Sequence, residues 1–157
     1  EGTLRLAKPD LAARCETLIQ VANQSLTRAI EADKSYGPAH NNLGTLYLLT
    51  DDYYQAAWEF QYAAKVMPKN PEPRINLGLV FEKTGKLDKA IDWYNQALKL
   101  DADSLPAMQA LARTRLRKGL RDSETKTLLE TIVFRSTDPV WRDWAKLQLL
   151  QLRKKAE

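Results

Sequence analysis

The chain has 157 residues, of which 44% are hydrophobic and 28% are charged, and its formal net charge is +4. These fractions argue against a disordered chain, and no run approaches the roughly 20 apolar residues that a transmembrane helix needs. A single cysteine and a single histidine exclude an internal disulfide framework and leave too few ligands for a zinc site. We therefore expect a soluble protein without cofactor or metal, either cytoplasmic or, if an upstream leader has been removed, periplasmic.

The first predicted element is a long N-terminal helix. Its apolar residues recur at spacings of three and four without a turn signal, and they are Leu11, Cys15, Leu18, Ala22, Leu26 and Ala29. The pattern predicts a helix over 9–32 that serves as an N-terminal capping helix or a degenerate repeat, with Cys15 in the core. The sequence DKSYGP at 33–38 breaks this helix before the next element.

The middle of the chain repeats itself with a fixed period. NNLGTLY at 41–47 returns as INLGLVF at 75–81, and the match of residue types continues into the helix that follows each stretch. The first copy carries the series His40, Leu43, Gly44, Tyr47, Ala56, Phe60, Ala63 and Pro68. In the second copy the same positions hold Arg74, Leu77, Gly78, Phe81, Ala90, Tyr94, Ala97 and Ala102.

This series resembles the tetratricopeptide repeat, a 34-residue helix–turn–helix motif that reads W-x2-L-G-x2-Y, then A-x3-F, then P. The copy at about 37–70 departs from the motif at His40, and the copy at about 71–104 departs from it at Arg74 and Ala102. The resemblance implies an all-α fold. It would be a right-handed α-solenoid of antiparallel helix pairs, with an N-terminal and a C-terminal capping helix.

Gly44 and Gly78 stand inside predicted helices, where glycine costs about 1 kcal/mol relative to alanine. We attribute this choice to a close approach of the second helix of each pair, which a Cβ would prevent. Phe60 and Tyr94 are then expected to fill the gap between each pair and the next repeat. His40, in the tryptophan slot of the motif, is expected to be a partly buried structural residue.

The C-terminal third holds a weaker copy and a final helix. Residues 105–136 resemble a divergent repeat, in which Arg115 replaces the aromatic residue of the motif. The last helix is predicted at 138–156, because Asp138 is a favoured N-cap residue and proline follows it. All elements are expected to form a single domain, 1–157. The buried stripe of the last helix is predicted to be Val140, Trp141, Trp144, Leu147 and Leu150.

The resemblance also implies where a ligand would bind. In proteins of this family the first helices line a concave groove that usually binds a short peptide. Asn42 and Asn76 recur there in register, and an amide can both donate to and accept from the backbone of an extended peptide. The predicted groove residues lie next to the buried leucine of each first helix but are turned away from the core: Asn41, Asn42, Thr45, Leu49, Ile75, Asn76, Leu79, Lys83, Gln109, Arg113 and Arg117.

Two more specific activities have little support in the sequence. Some members of the family hold the C-terminal carboxylate of a peptide with lysine, asparagine and arginine from three consecutive repeats. Here Asn41, Thr45 and Ala110 occupy three of those slots and only Asn76 matches, so we expect no such clamp. No nucleophile, general base and oxyanion donor converge, and the six glycines form no phosphate loop. We therefore predict no catalytic residue and no enzymatic activity.

We interpret the sequence as a non-enzymatic protein–protein interaction module, such as an adaptor, an assembly factor or a chaperone-like scaffold, whose partner is a protein or a peptide. One alternative is a binder of nucleic acid or another anionic surface, because residues 105–157 carry 12 Lys and Arg against 6 Asp and Glu. We do not expect nucleic acid, since no aromatic residue interleaves the basic cluster at 113–121. The other alternative is self-association into a homodimer through the N-terminal helix.

Overall fold

The computed structural model describes residues 8–154, with side chains described from residue 11 onward. Within this range every regular element is an α-helix, and the chain divides into two compact units, residues 1–66 and 67–157. Unit 1 contains α1 (Lys8–Ala32), α2 (Gly37–Leu49) and α3 (Tyr53–Val66). Unit 2 contains α4 (Glu72–Lys83), α5 (Leu87–Leu100), α6 (Leu105–Arg117), α7 (Ser123–Arg135) and α8 (Pro139–Lys154). The last two residues of the predicted helix over 138–156 lie outside the described residues.

The two helices of each well-matched repeat meet at a glycine. A Cβ on Gly44 would come within 2.8 Å of the Phe60 ring, and a Cβ on Gly78 would come within 2.3 Å of the Tyr94 ring. Both rings are fully buried, so α2 packs on α3, and α4 on α5, at a distance that requires glycine. The predicted close approach is confirmed. The group that would clash with a Cβ, and so requires glycine, is the aromatic ring of the second helix. Tyr94 also reaches the next repeat, since it shares a core cluster with Leu111 of α6.

The turn between the two helices of a repeat has the same backbone conformation three times. Asp51, Gly85 and Gly119 occupy the same position in successive repeats and have positive φ angles of 59°, 75° and 88°. This left-handed conformation is open to glycine and tolerated by aspartate, but is strained for most other residues. The third of these turns joins α6 to α7. The backbone therefore keeps the repeat register in the segment where the sequence motif has weakened.

The helix α1 is less buried than predicted. It has 25 residues against 13 in α2, so at a rise of 1.5 Å per residue it is longer by about 18 Å. Leu11 and Leu18 are 62% and 68% exposed, and Cys15 is exposed. Partial burial begins at Ala22, in the half of α1 that precedes its junction with α2. The prediction that Cys15 lies in the core is wrong, because this part of α1 is exposed along its whole described length.

The helix α8 buries a face that is rotated from the predicted one. Ala145 is fully buried, and its small side chain lets α8 pack against α7. Trp141 and Trp144 pack against the same core cluster, as predicted, and Leu149 and Leu152 complete this face. The rest of the predicted stripe is wrong, because three of its side chains are at least 53% exposed: Val140, Leu147 and Leu150.

Candidate functional site

Four of the predicted groove residues lie together in unit 2. Leu79 and Lys83 are one turn apart on α4, and Arg113 and Arg117 are one turn apart on α6. The two helices are in contact, and these residues line one cavity of about 420 Å³. Glu82 completes the lining, although the repeat motif does not predict it. The structure thus brings together one apolar side chain, three cations and one carboxylate.

Glu82 is the centre of this group. Its side chain is 5% exposed, and both of its oxygens accept hydrogen bonds. Arg113 donates from Nε to Oε1 over 3.0 Å and from Nη2 to Oε2 over 2.8 Å. Arg117 donates from Nη1 to Oε1 over 2.8 Å, and the hydroxyl of Tyr94 donates to Oε2 over 3.0 Å. Because the buried carboxylate is fully paired, it holds both arginines in fixed positions at the cavity.

These contacts shift the pKa values of three groups: Glu82, Tyr94 and Arg113. Burial alone would raise the pKa of Glu82, but the hydrogen bonds from Arg113 and Arg117 outweigh burial and lower this pKa to about 2. The pKa of the Tyr94 hydroxyl is raised by its burial and by the adjacent carboxylate. The hydrogen bond to Glu82 raises the pKa of Arg113. At neutral pH Glu82 is therefore ionised, and Arg113 beside it is protonated.

Arg113 is also held from the side of α8. Its guanidinium carbon lies 5.9 Å from the centre of the Trp141 ring, within the range of a cation–π interaction. Trp141 in turn meets Trp144 edge to face, with ring centroids 5.3 Å apart. The helix predicted as a C-terminal cap thus also positions a residue of the candidate site.

The repeat register contains a signal for Glu82. The other copies carry Leu48 and Leu116 in the same slot, one repeat before and one repeat after it. A carboxylate where neighbouring repeats have leucine indicates a buried charge, and a buried charge requires partners. Tyr94 stands where the first copy has Phe60, and its added hydroxyl is the group that bonds to Glu82. The first repeat thus has Leu48 and Phe60 at the two positions where the second repeat has Glu82 and Tyr94.

The other predicted groove residues of unit 2 are not part of the cavity lining. Ile75, Asn76 and Gln109 are each partly buried. Ile75 packs against the core cluster formed by α5 and α6, so it differs from the expectation that it is turned away from the core. Whether Asn76 and Gln109 contact a ligand stays a prediction.

In unit 1 the predicted residues divide between the surface and the interior. Asn42, Thr45 and Leu49 are exposed on α2, and Leu49 is 74% exposed. Asn41 is only 4% exposed, which differs from its predicted position on the surface of the helix. Its carbonyl oxygen accepts a hydrogen bond from the hydroxyl of Thr45 over 3.0 Å. A ligand contact by these four residues stays a prediction.

Unit 1 contains a buried polar pair. Nδ1 of His40 lies 2.6 Å from Oε2 of Glu59, and Nε2 lies 3.1 Å from the carbonyl oxygen of Lys34. The His40 ring is 4.3 Å from the ring of Tyr62, which stacks on Trp58 with centroids 6.0 Å apart. His40 is thus a buried structural residue in the tryptophan slot of the motif, and Glu59 and Lys34 satisfy its two nitrogens.

Arg115 fills the aromatic slot of the divergent repeat in a different way. The residue is 6% exposed, and its guanidinium donates to Asp122 over 2.7 Å and to the hydroxyl of Thr125 over 2.9 Å. Asp122 is the N-cap of α7 and accepts from the backbone N–H of Thr125 over 3.0 Å. That hydrogen bond and the guanidinium lower the pKa of Asp122 to about 2. Arg115 therefore stabilises the beginning of α7 instead of packing as a ring.

Comparison with known proteins identifies the repeat. Residues 71–104, which comprise α4, α5 and the turn between them, match the family model described as Tetratricopeptide repeat. This chain is a tetratricopeptide-repeat protein. The match includes the α4 side of the cavity, whereas Arg113 and Arg117 belong to the divergent repeat that follows.

Two further comparisons agree with the family. The chain is 32% identical over 95 residues to Tetratricopeptide repeat protein 13 of Homo sapiens, an alignment that covers 60% of this chain and 11% of that protein. It spans 10–12% of the length of the curated relatives it matches. The solved structure of TTC0263, a thermophilic TPR protein of Thermus thermophilus, has a TM-score of 0.74 and 23% identity, over 85% of this chain and 74% of that chain. The predicted fold class, an all-α array of tetratricopeptide-type helix pairs, is confirmed.

One structural neighbour was solved with a ligand. The first TPR of Spaghetti (RPAP3), bound to the HSP90 peptide SRMEEVD, has a TM-score of 0.69 and 17% identity, over 79% of this chain and 95% of that chain. At 17% identity, this likeness shows that the two chains share a fold.

Among residues 8–154 of the tetratricopeptide-repeat chain, no helix combines the length and the apolar composition that crossing a bilayer requires. The described side chains, residues 11–154, include no cluster of three or more His, Cys, Asp or Glu that could hold a metal ion.

Proposed function

We propose that this tetratricopeptide-repeat protein is a non-catalytic interaction module, which binds a short segment of a partner protein along the first helices of its repeats. The observation that carries the proposal is the cavity between α4 and α6. Four residues that the repeat register predicts as ligand contacts line it: Leu79, Lys83, Arg113 and Arg117. They come from two successive first helices, so a segment that contacts all four would span two repeats.

The chemistry of the cavity favours binding over catalysis. Leu79 offers an apolar contact, and the arginines offer N–H donors to the carbonyl or carboxylate groups of a segment. Glu82 holds Arg113 and Arg117 in place, which lowers the side-chain entropy that a ligand would otherwise have to remove. Glu82 itself has a pKa of about 2, far below the value that suits a general base near neutral pH.

The neighbour with a bound peptide supports the class of ligand. From that protein we take one point, that a repeat domain of this fold can bind a peptide. The slots that hold a C-terminal carboxylate in some family members contain Asn41, Thr45 and Ala110 here. We therefore propose contacts from the cavity between α4 and α6 instead.

The nucleic-acid alternative draws no support from the basic cluster of unit 2. Four of its five cations are paired with carboxylates, namely Arg113 and Arg117 with Glu82, Arg115 with Asp122, and Lys118 with Asp88. These pairs reduce the positive charge that could displace counterions from a phosphate backbone. The absence of nucleic-acid binding stays a prediction until it is measured.

The homodimer alternative concerns a different surface. The exposed side chains of Leu11 and Leu18 lie two turns apart on α1 and form an apolar strip. The same helix of a second copy could cover such a strip. Sedimentation at high protein concentration would decide it, since a monomer there would exclude the dimer.

The proposed function is tested by selecting ligands for the complete chain from a display library of random peptides and measuring the affinity of the resynthesised peptides by fluorescence anisotropy. Leu79→Ala and Arg117→Ala should each weaken binding about tenfold, since each removes a contact at the centre of the site. Asn42→Ala combined with Asn76→Ala tests the predicted amide contacts. Arg121→Ala is the matched control, because it removes an exposed cation of unit 2 that does not line the cavity. A library that contains no ligand would refute the proposal.

A further inference from the structure

We infer that the cavity between α4 and α6 receives an acidic side chain, aspartate or glutamate, from the interior of the partner segment. The inference rests on the proposed function and names the ligand group that this part of the site selects. It follows from the charge of the lining, from the way Glu82 positions the arginines, and from the donors that remain after Glu82 has been satisfied.

The lining has a surplus of positive charge. Lys83, Arg113 and Arg117 carry one positive charge each, and Glu82 carries the one negative charge. Two positive charges remain uncompensated among the lining residues. An anionic group that enters the cavity would therefore meet an attractive field at short range, where screening by salt is weak.

The cations are arranged before the ligand arrives. Glu82 takes two hydrogen bonds from Arg113, in the forked geometry that a guanidinium makes with a carboxylate. The Trp141 ring lies over the same guanidinium, and Glu82 also accepts from Arg117. Since Glu82 is buried beneath the cations, it acts as a positioning residue and not as a ligand contact.

Hydrogen-bond donors remain for the ligand. A guanidinium has three nitrogens that carry N–H groups, and Glu82 uses only Nη1 of Arg117. The Arg117 side chain is 51% exposed, so Nε and Nη2 can donate to an incoming group. Lys83 is exposed in the same lining, and no carboxylate among the described side chains, residues 11–154, forms a salt bridge with it. One carboxylate can accept from both residues, as each of its oxygens has two lone pairs.

The surroundings favour a side-chain carboxylate over other anions. Leu79 lines the cavity beside the cations, which suits an acidic residue with an apolar neighbour in the segment. A terminal carboxylate has the same chemistry, but the slots that hold it in other members of the family are occupied by Asn41, Thr45 and Ala110. A nucleic acid would need an extended row of free cations, and the adjacent Arg115 and Lys118 are already paired.

The experiment uses the complete chain and peptides selected from a random library in which both peptide ends are joined to a carrier. Selected peptides are resynthesised with blocked ends, and their dissociation constants are measured at low and at high salt. Each acidic residue of a peptide is then exchanged for its amide, Asp for Asn or Glu for Gln. The protein variants are Arg117→Gln and Lys83→Gln, with Arg121→Gln as the control that removes the same charge outside the cavity.

The selected peptides should be enriched in acidic residues, and one acid-to-amide exchange should raise the dissociation constant about tenfold, the size of a charge-assisted hydrogen bond. Arg117→Gln and Lys83→Gln should cause similar losses, and the exchange in the peptide should have little further effect on either variant. Circular dichroism would verify that both variants fold.

Three outcomes would overturn the inference and leave the proposed function intact. The first is a set of peptides that bind but tolerate every acid-to-amide exchange, and the second is an equal loss with Arg121→Gln and Arg117→Gln. The third is binding that appears only when the selected peptides are resynthesised with a free C-terminus and disappears when that end is blocked. If no peptide is selected and a single-stranded oligonucleotide binds at low salt, the proposed function fails together with the inference.

Discussion

The hydroxyl of Tyr94 donates a hydrogen bond over 3.0 Å to Oε2 of Glu82, and this bond joins the packing of a repeat to its candidate binding surface. On one side the Tyr94 ring covers Gly78, where a Cβ would come within 2.3 Å of it. On the other side Glu82 holds Arg113 and Arg117 at the cavity. The helix contact that defines the repeat therefore also fixes the carboxylate that positions the cations.

Tyr94→Phe should lower the free energy of unfolding by about 1 kcal/mol, because Glu82 loses one donor while the ring still fills its place. The cost is moderate, since the arginines keep the carboxylate paired. Urea denaturation at neutral pH measures it. Tyr54→Phe is the control, as Tyr54 is 79% exposed, and it should change stability by less than about 0.5 kcal/mol. Equal effects of the two substitutions would mean that the hydrogen bond contributes nothing.

Gly78→Ala and Gly44→Ala should both destabilise the protein, although alanine is the better helix former by about 1 kcal/mol. The new Cβ would lie 2.3 Å from the Tyr94 ring and 2.8 Å from the Phe60 ring, so a fully buried ring has to move. We expect a net loss of about 1–3 kcal/mol, with the larger loss at Gly78. Thermal unfolding followed by circular dichroism tests the order, and a gain in stability at either position would contradict the close packing.

The helix pairs could be predicted from the sequence because their signals are short in range and recur. The spacing of Leu43, Gly44 and Tyr47 indicates one helical face, and its return at a fixed period indicates a repeat. The left-handed turn at Gly119 shows that the register persists even where Arg115 has replaced the aromatic residue. Four of the predicted contact residues line one cavity because the register specifies the face of each helix.

Other features depend on contacts that periodicity does not encode. The apolar spacing of α1 does not show whether a neighbour covers it, so Cys15 was misplaced. The apolar residues of α8 lie on more than one face, and spacing alone does not show which face packs on α7, so Leu147 was misplaced. The pairing of Glu82 with arginines 31 and 35 residues away requires the distances between side chains on separate helices. The slot occupied by leucine in the other repeats indicates a buried charge at Glu82, but it does not name the partners.

Glu82 should make the stability of the protein depend on pH in the acid range. Its pKa is about 2 in the folded chain and 4.5 ordinarily, so the folded state binds this proton less readily than the unfolded state. The stabilisation is therefore complete above about pH 4.5 and is lost as the pH falls towards about 2. Glu82→Gln removes this titration. The difference in the free energy of unfolding between the wild type and the variant should be largest at neutral pH and shrink through that window.

Urea denaturation at several pH values between neutral and about 3 measures this difference. Asp122 also has a folded pKa of about 2, but it is present in both proteins and its contribution cancels. A difference that stays constant with pH would show that the arginines do not lower the pKa of Glu82.

Arg115→Met should destabilise the protein by about 2 kcal/mol, because methionine replaces the aliphatic part of the side chain but not its guanidinium. The buried hydroxyl of Thr125 would lose its donor, and the N-cap Asp122 would lose the charge that it faces. Arg117→Met is the matched control, since that side chain is 51% exposed and Glu82 retains Arg113 after the change. The free energy of unfolding of each variant is compared with that of the wild type. Equal losses would contradict this role. They would mean that the aliphatic part of Arg115, which methionine retains, accounts for its packing, and that Asp122 caps α7 without help from the guanidinium.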